Sequence, residues 1–170
     1  MARNITDSKG GRNSVYPCTE GVTFHPFIYM VPQYKPDSVL MLGYAGGTVA
    51  GLIRLFYGDD VPILGVDIGP VEPGYDAGIV RADARQFVRV AGKYDAVIVD
   101  VYEDGESVPP EWITEPEFVA NLKRIANYII VHAKETTDMS AYGAPLKVLA
   151  LNDSRFYYYI VNRIARLPIR

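Results

Sequence analysis

The sequence predicts an α/β fold, a doubly wound and mostly parallel sheet closed by an antiparallel C-terminal hairpin. Three observations carry this. Short apolar runs at 38–42, 61–66, 78–82 and Tyr94–Val99 each stop at a glycine turn or at an aspartate, as strands of a sheet buried on both faces do. Helix-spaced segments separate most of them, at Thr48–Tyr57, Ala84–Val90 and 114–126. A last pair of β-rich runs, Lys147–Leu151 and 156–162, is joined by Asn152, Asp153 and Ser154 and reads as a hairpin.

Taken in order, residues 1–22 are rich in Gly, Ser, Asn and Thr without an apolar period, which predicts a mobile arm ahead of one domain over 23–170. The proline-punctuated stretch FHPFIYMVPQYKPD leads into the first apolar run, and the cluster GYAGGT then forces a tight turn into a helix. The second and third runs end at Asp67 and Asp83. The fourth, the most strand-like, follows Gly92 and ends at Asp100. Thr114 and Glu117 stand in capping-box spacing with Pro116 between them, so a helix is expected from 114. Residues 128–132 make a fifth strand, and no internal repeat interrupts the series.

Bulk composition bounds the function. A chain of 170 residues with 49% hydrophobic content can bury one core without disulfides or metal staples. The net charge of −3 and pI near 5.4 lack the basic balance of a general phosphate grip, so no nucleic-acid partner is expected. Cys18 is the single cysteine, which excludes an intrachain disulfide. The opening MARNITDSKGGRNS has no apolar centre of a signal peptide, and no apolar run reaches bilayer length. A cytoplasmic protein without a membrane partner is the expectation. His25 and His132 stand apart with no ligand pattern around them, so no metal site and no role are assigned to either. The aromatic run 156–159 reads as a sheet-edge or subunit-interface stripe, which leaves a homo-oligomer open.

In a doubly wound sheet the ligand sits beyond the carboxyl ends of the strands, where strand order reverses. The residues there are Gly43, Tyr44, Ala45, Gly46 and Gly47, then Asp67 with Ile68, Asp83 with Ala84, and Asp100. A glycine turn lets backbone approach a ligand closely, and Asp67, 24 positions after Gly43, is placed to accept hydrogen bonds from a ribose diol. A dinucleotide fingerprint fails, because Ala45 and Thr48 stand where GxGxxG needs its second and third glycines. Between Asp100 and Glu117 there are seven acids and no Lys or Arg; this suits a polyamine, or is a solvated loop.

From 35 to 126 the chain resembles spermidine synthases and their short relatives within the S-adenosylmethionine-dependent methyltransferase fold. VLMLGYAGGT resembles the family's VLxxGGGDGGT, VDIG its VEID, ADARQF its GDGxxF and DAVIVDVYE its DVIxxDxxD, while VPPEWITEPEF is similar to a pattern of the shorter relatives. The resemblance implies a Rossmann-like, methyltransferase-type sheet. It implies a donor, S-adenosylmethionine or its decarboxylated form, held by residues 43–47, Asp67, Ile68, Asp83 and Ala84. It carries the general base onto Asp100 and an amine-binding acid onto Glu103, with Tyr102 and Asp104 beside them. Ala45 stands where the family has an aspartate. The expected activity is aminopropyl transfer to a small amine; methyl transfer on the same fold and non-catalytic nucleoside binding are the alternatives.

Overall fold

Strands that are apolar on both sides can be buried only between two layers, and the sheet sits there. The structure is a computed structural model describing residues 3–6, 9, 12–16, 26–69 and 78–162. Cys18, His25 and much of the expected N-terminal arm lie outside the described residues. Within that arm β1 (Arg3–Thr6) and β2 (Arg12–Tyr16) pair antiparallel, a strand pair that the composition does not announce.

The main sheet contains β3 (Val39–Leu42), β4 (Ile63–Asp67), β5 (Ile79–Arg81), β6 (Tyr94–Val99), β7 (Ala126–Lys134), β8 (Lys147–Leu151) and β9 (Ser154–Ile160). Its order is β5-β4-β3-β6-β7-β9-β8, with β3 to β7 mutually parallel and β9 antiparallel to both β7 and β8. Chain order reverses between β3 and β6. The expected doubly wound sheet with an antiparallel hairpin is therefore what forms. Helix α1 (Thr48–Tyr57) and the 3-10 turn Phe27–Met30 cover one face, packing on Met41, Ile98, Tyr128 and Phe156. Helices α2 (Ala84–Val90) and α3 (Pro116–Ile125) cover the other, on Leu40, Val97, Val99 and Ile129. Arg124 joins the two helices on that side, donating to the carbonyls of Val88, Arg89 and Ala91 at the carboxyl end of α2, where a cation suits the helix dipole.

Three local expectations are corrected. Thr114 does not cap α3: it belongs to a 3-10 turn, Glu111–Thr114, and its hydroxyl donates to the Glu111 carbonyl, so Glu115 becomes the N-cap without a side-chain bond. Pro116 opens the helix as expected. Ser154 is the first residue of β9, and the hairpin turns on Asn152 and Asp153 alone, with Asn152 left-handed at φ 52°. The aromatic run is not an edge stripe. Because β9 lies between β7 and β8, Phe156, Tyr158 and Tyr159 are buried in the core.

Candidate functional site

The carboxyl ends of β3 and β6 meet at the reversal of strand order, and the backbone there leaves no room for side chains. Gly43 has φ +82°, and a Cβ at that position would run into the Asp100 carbonyl. Only glycine meets both conditions. Gly43 N–H donates to the Val66 carbonyl and Asp100 N–H to that of Leu42, so the ends of β3, β4 and β6 are laced together. The turn continues with Tyr44 N–H and Ala45 N–H donating to Asp67 Oδ2 at 2.8 and 2.7 Å, and Gly69 N–H donates to Oδ1 at 2.8 Å. Asp67 is thus a clasp on the glycine turn. Its four lone-pair directions accept three bonds from protein, which leaves one for a ligand.

Tyr44 is buried, and its ring fills the space that side chains at Gly47 and Gly65 would need. It therefore offers a ligand its backbone only. Ala45 takes φ 46°, Gly46 is buried, and Gly47, at φ 76°, begins α1 without a side-chain cap. Ile68 stands 70% exposed beside Asp67, an apolar surface that a flat ring can cover. Asp83 caps α2 by accepting from Arg85 N–H at 2.8 Å and pairs with the Arg85 guanidinium at 2.7 Å. The Arg85 hydrogen bonds hold its carboxyl below the usual carboxylate range. Ala84 is buried at the start of that helix.

Asp100 meets a residue that sequence reasoning passed over. Its Oδ1 lies 2.8 Å from His132 Nδ1, and His132 Nε2 lies 3.1 Å from Ser154 Oγ. The imidazole stacks on Phe156 at 4.7 Å and touches the Tyr102 ring at 5.2 Å. The Tyr102 hydroxyl is buried with no hydrogen-bond partner among the described residues, and desolvation, with Asp100 and Asp153 adding to it, pushes its ionisation far upward. A buried hydroxyl without a partner is costly unless something occupies the site. Glu103 and Asp104 are exposed on the following loop.

Glu103 lines an open cleft of ≈ 470 Å³ with Glu106, Glu111, Glu115, Arg85 and Trp112. Two of the acids that looked unopposed in sequence are answered by cations from other elements: Lys9 pairs with Glu106 at 3.2 Å and Arg89 with Glu117 at 3.0 Å, while Arg85 lies over Trp112 in the same cleft. Among the described residues no group of three metal-binding side chains gathers, and no helix is long and apolar enough to cross a membrane.

No protein-family profile and no curated protein sequence matches the chain. Solved structures do. A candidate methyltransferase, yhhF, from Escherichia coli aligns with 95% of this chain and 99% of its own at TM-score 0.57 and 14% identity. The rRNA methyltransferase aviRa from Streptomyces viridochromogenes aligns with 84% of this chain and 88% of its own at TM-score 0.57 and 12% identity. An RNA methyltransferase from Salinibacter ruber, solved with S-adenosyl-L-homocysteine, aligns with 79% and 85% at TM-score 0.50 and 14% identity. The chain has the S-adenosylmethionine-dependent methyltransferase fold. The expected partners, a small amine and no nucleic acid, are corrected by this finding, because two of these neighbours are RNA methyltransferases. The physical error was to read partners from sums. Net charge averages over the whole surface, and a run of acids counts only its own segment, whereas binding follows local groups brought together by the fold.

Proposed function

We propose that the chain is an S-adenosylmethionine-dependent methyltransferase with RNA as its acceptor. The observation that carries this reading is the clasped glycine turn, Gly43 to Gly47 with Asp67, abutting Asp100 at the reversal of strand order. The turn presents backbone to the adenosyl group, the free lone pair of Asp67 meets a ribose hydroxyl, and Ile68 covers the adenine. Intact S-adenosylmethionine is the donor, since Ala45 brings no charge to repel its carboxylate. Methyl transfer is a displacement: an acceptor lone pair attacks the methyl carbon, the carbon–sulfur bond breaks with its electron pair left on sulfur, and S-adenosylhomocysteine leaves.

An RNA acceptor is supported by the named neighbours. The aminopropyl reading, with its amine acceptor, is set aside, because the neighbours that support the fold transfer methyl groups. Calorimetric titration with S-adenosylhomocysteine tests the donor half, and transfer of labelled methyl from S-adenosylmethionine to RNA tests the acceptor half. Saturable binding with label in RNA is the expected result. No binding ends the proposal, and binding without transfer to any RNA leaves a nucleoside-binding protein.

A further inference from the structure

The hydrogen-bond chain Asp100–His132–Ser154 serves neither the fold's core nor the donor turn. All three side chains belong to the carboxyl edge: Asp100 follows β6, His132 lies near the end of β7 and Ser154 opens β9. The register places them together, since Val99 pairs with Val131 and His132 with Phe156, two positions after Ser154. The Asp100 and His132 side chains are 21% and 12% exposed, at the rim of the sheet rather than sealed beneath it. With a carboxylate at Nδ1 the neutral imidazole keeps its proton on that nitrogen, which leaves the Nε2 lone pair to accept from the Ser154 hydroxyl.

Resting on the methyltransferase reading, we propose that Ser154, His132 and Asp100 form a proton relay for an acceptor that is a hydroxyl, a ribose O–H of RNA. A ring nitrogen attacks through a lone pair it already has, and needs no base before attack. An alcohol is a weak nucleophile until its proton is drawn off. The acceptor oxygen attacks the sulfonium methyl carbon, and the carbon–sulfur pair goes to sulfur. The acceptor proton passes to Ser154 Oγ as the serine proton passes to His132 Nε2, and Asp100 stabilises the imidazolium. Asp100 is then a positioning residue that fixes the tautomer.

The groups facing the imidazole are Asp100, Asp153, Lys134 and Tyr102, with Lys134 paired to Asp153 at 3.1 Å.

The test uses the full chain, labelled S-adenosylmethionine and RNA, with products digested to nucleosides and identified by mass spectrometry. Ribose-methylated nucleosides are expected. His132→Gln lowers the transfer rate about 100-fold or more, while leaving S-adenosylhomocysteine affinity within twofold. Ser154→Ala lowers the rate about tenfold or more, and Ser154→Thr, which keeps the hydroxyl, restores it. Nitrogen NMR of the neutral imidazole should show the Nδ1–H tautomer in the wild type. Base-methylated products, no transfer despite donor binding, an unaltered transfer rate in His132→Gln, or an Nε2–H tautomer each overturn the relay without touching the donor site. Failure of the wild type to bind S-adenosylhomocysteine instead removes the methyltransferase reading on which the relay rests.

Discussion

Asp67→Asn isolates the clasp on the glycine turn. The wild-type carboxylate accepts from Tyr44 and Ala45 through one oxygen and from Gly69 through the other. Asparagine keeps one acceptor oxygen and turns the other position into a donor. Its best orientation keeps the bonds from Tyr44 and Ala45 and sets an NH₂ against the Gly69 N–H. One hydrogen bond to a charged acceptor is lost, worth about 1.5–3 kcal/mol, and the two that remain become neutral. Water reaches this partly buried residue and recovers some of the loss. The net expectation is a destabilisation of about 1–3 kcal/mol, read as a lower urea midpoint at unchanged slope. Affinity for S-adenosylhomocysteine should fall in the same variant, because the turn that holds the ligand is held by the same side chain. If Asp67 served only a ribose, affinity would drop while stability stayed put. An asparagine variant within about 0.5 kcal/mol of wild type refutes the clasp.

Further expectations follow from the same geometry. Gly43→Ala combines a left-handed φ with a clash against the Asp100 carbonyl, so it should cost more than about 3 kcal/mol or prevent folding, and a thermal midpoint near that of wild type would contradict the close approach. Asp83→Ala should destabilise by about 1 kcal/mol at pH 7 through loss of the α2 cap. Because the folded carboxyl titrates below its ordinary value, that contribution is present above about pH 4 and disappears as pH falls through the lower folded value, so the gap between variant and wild type should close in acid; a constant gap on denaturant titration would argue against the cap. Burial raises the ionisation of Tyr102, Tyr128, Tyr142, Tyr158 and Tyr159 above the ordinary value near 10.0. Folded-state stability is therefore full below pH ~10 and is lost above it, with tyrosinate absorbance rising together with unfolding; gradual ionisation near 10 without loss of circular dichroism would count against their burial.

The sheet was legible because its signal is local. An apolar run ending in an aspartate or a glycine turn needs no partner to be recognised, and β3, β4, β5 and β6 all formed within a residue or two of where such runs lie. What such a run does not encode is whom its last carboxylate meets. Asp67 meets backbone N–H groups, and amides carry no letter in the sequence. His132 was passed over for the opposite reason: its partners are letters, but they sit 32 and 22 positions away. A readable signal was present, since His132 interrupts an apolar strand on the same side as Tyr128 and Ile130, and a parallel neighbour ending in Asp100 would lie beside it. Thr114 failed as a cap because spacing alone does not exclude a 3-10 turn ahead of the helix, and that turn claimed its hydroxyl.

The glycine turn carries two residues, Tyr44 and Ala45, that an all-glycine version would not need, and the structure accommodates each differently. Tyr44 points its ring away from the ligand side, into space created by Gly47 and by Gly65 on the neighbouring strand. A glycine in the middle of β4 weakens that strand, and its presence is explained once the ring is seen to lie against it. Ala45 adopts a left-handed conformation that costs an L-residue about 1 kcal/mol, and the two short bonds that the Tyr44 and Ala45 N–H groups donate to Asp67 offset that cost. Gly65, Tyr44, Ala45 and Asp67 are therefore one unit. Replacing any of them alters the others before it alters a ligand contact. The surface offered to an adenosyl group is mostly backbone, shaped by a tyrosine behind it and an aspartate beside it. If the proposed donor binds here, discrimination among nucleosides at this turn rests on shape and on a single lone pair. Selectivity for the reacting partner then falls to groups elsewhere at the carboxyl edge, which is where the proposed relay of His132 and Ser154 stands.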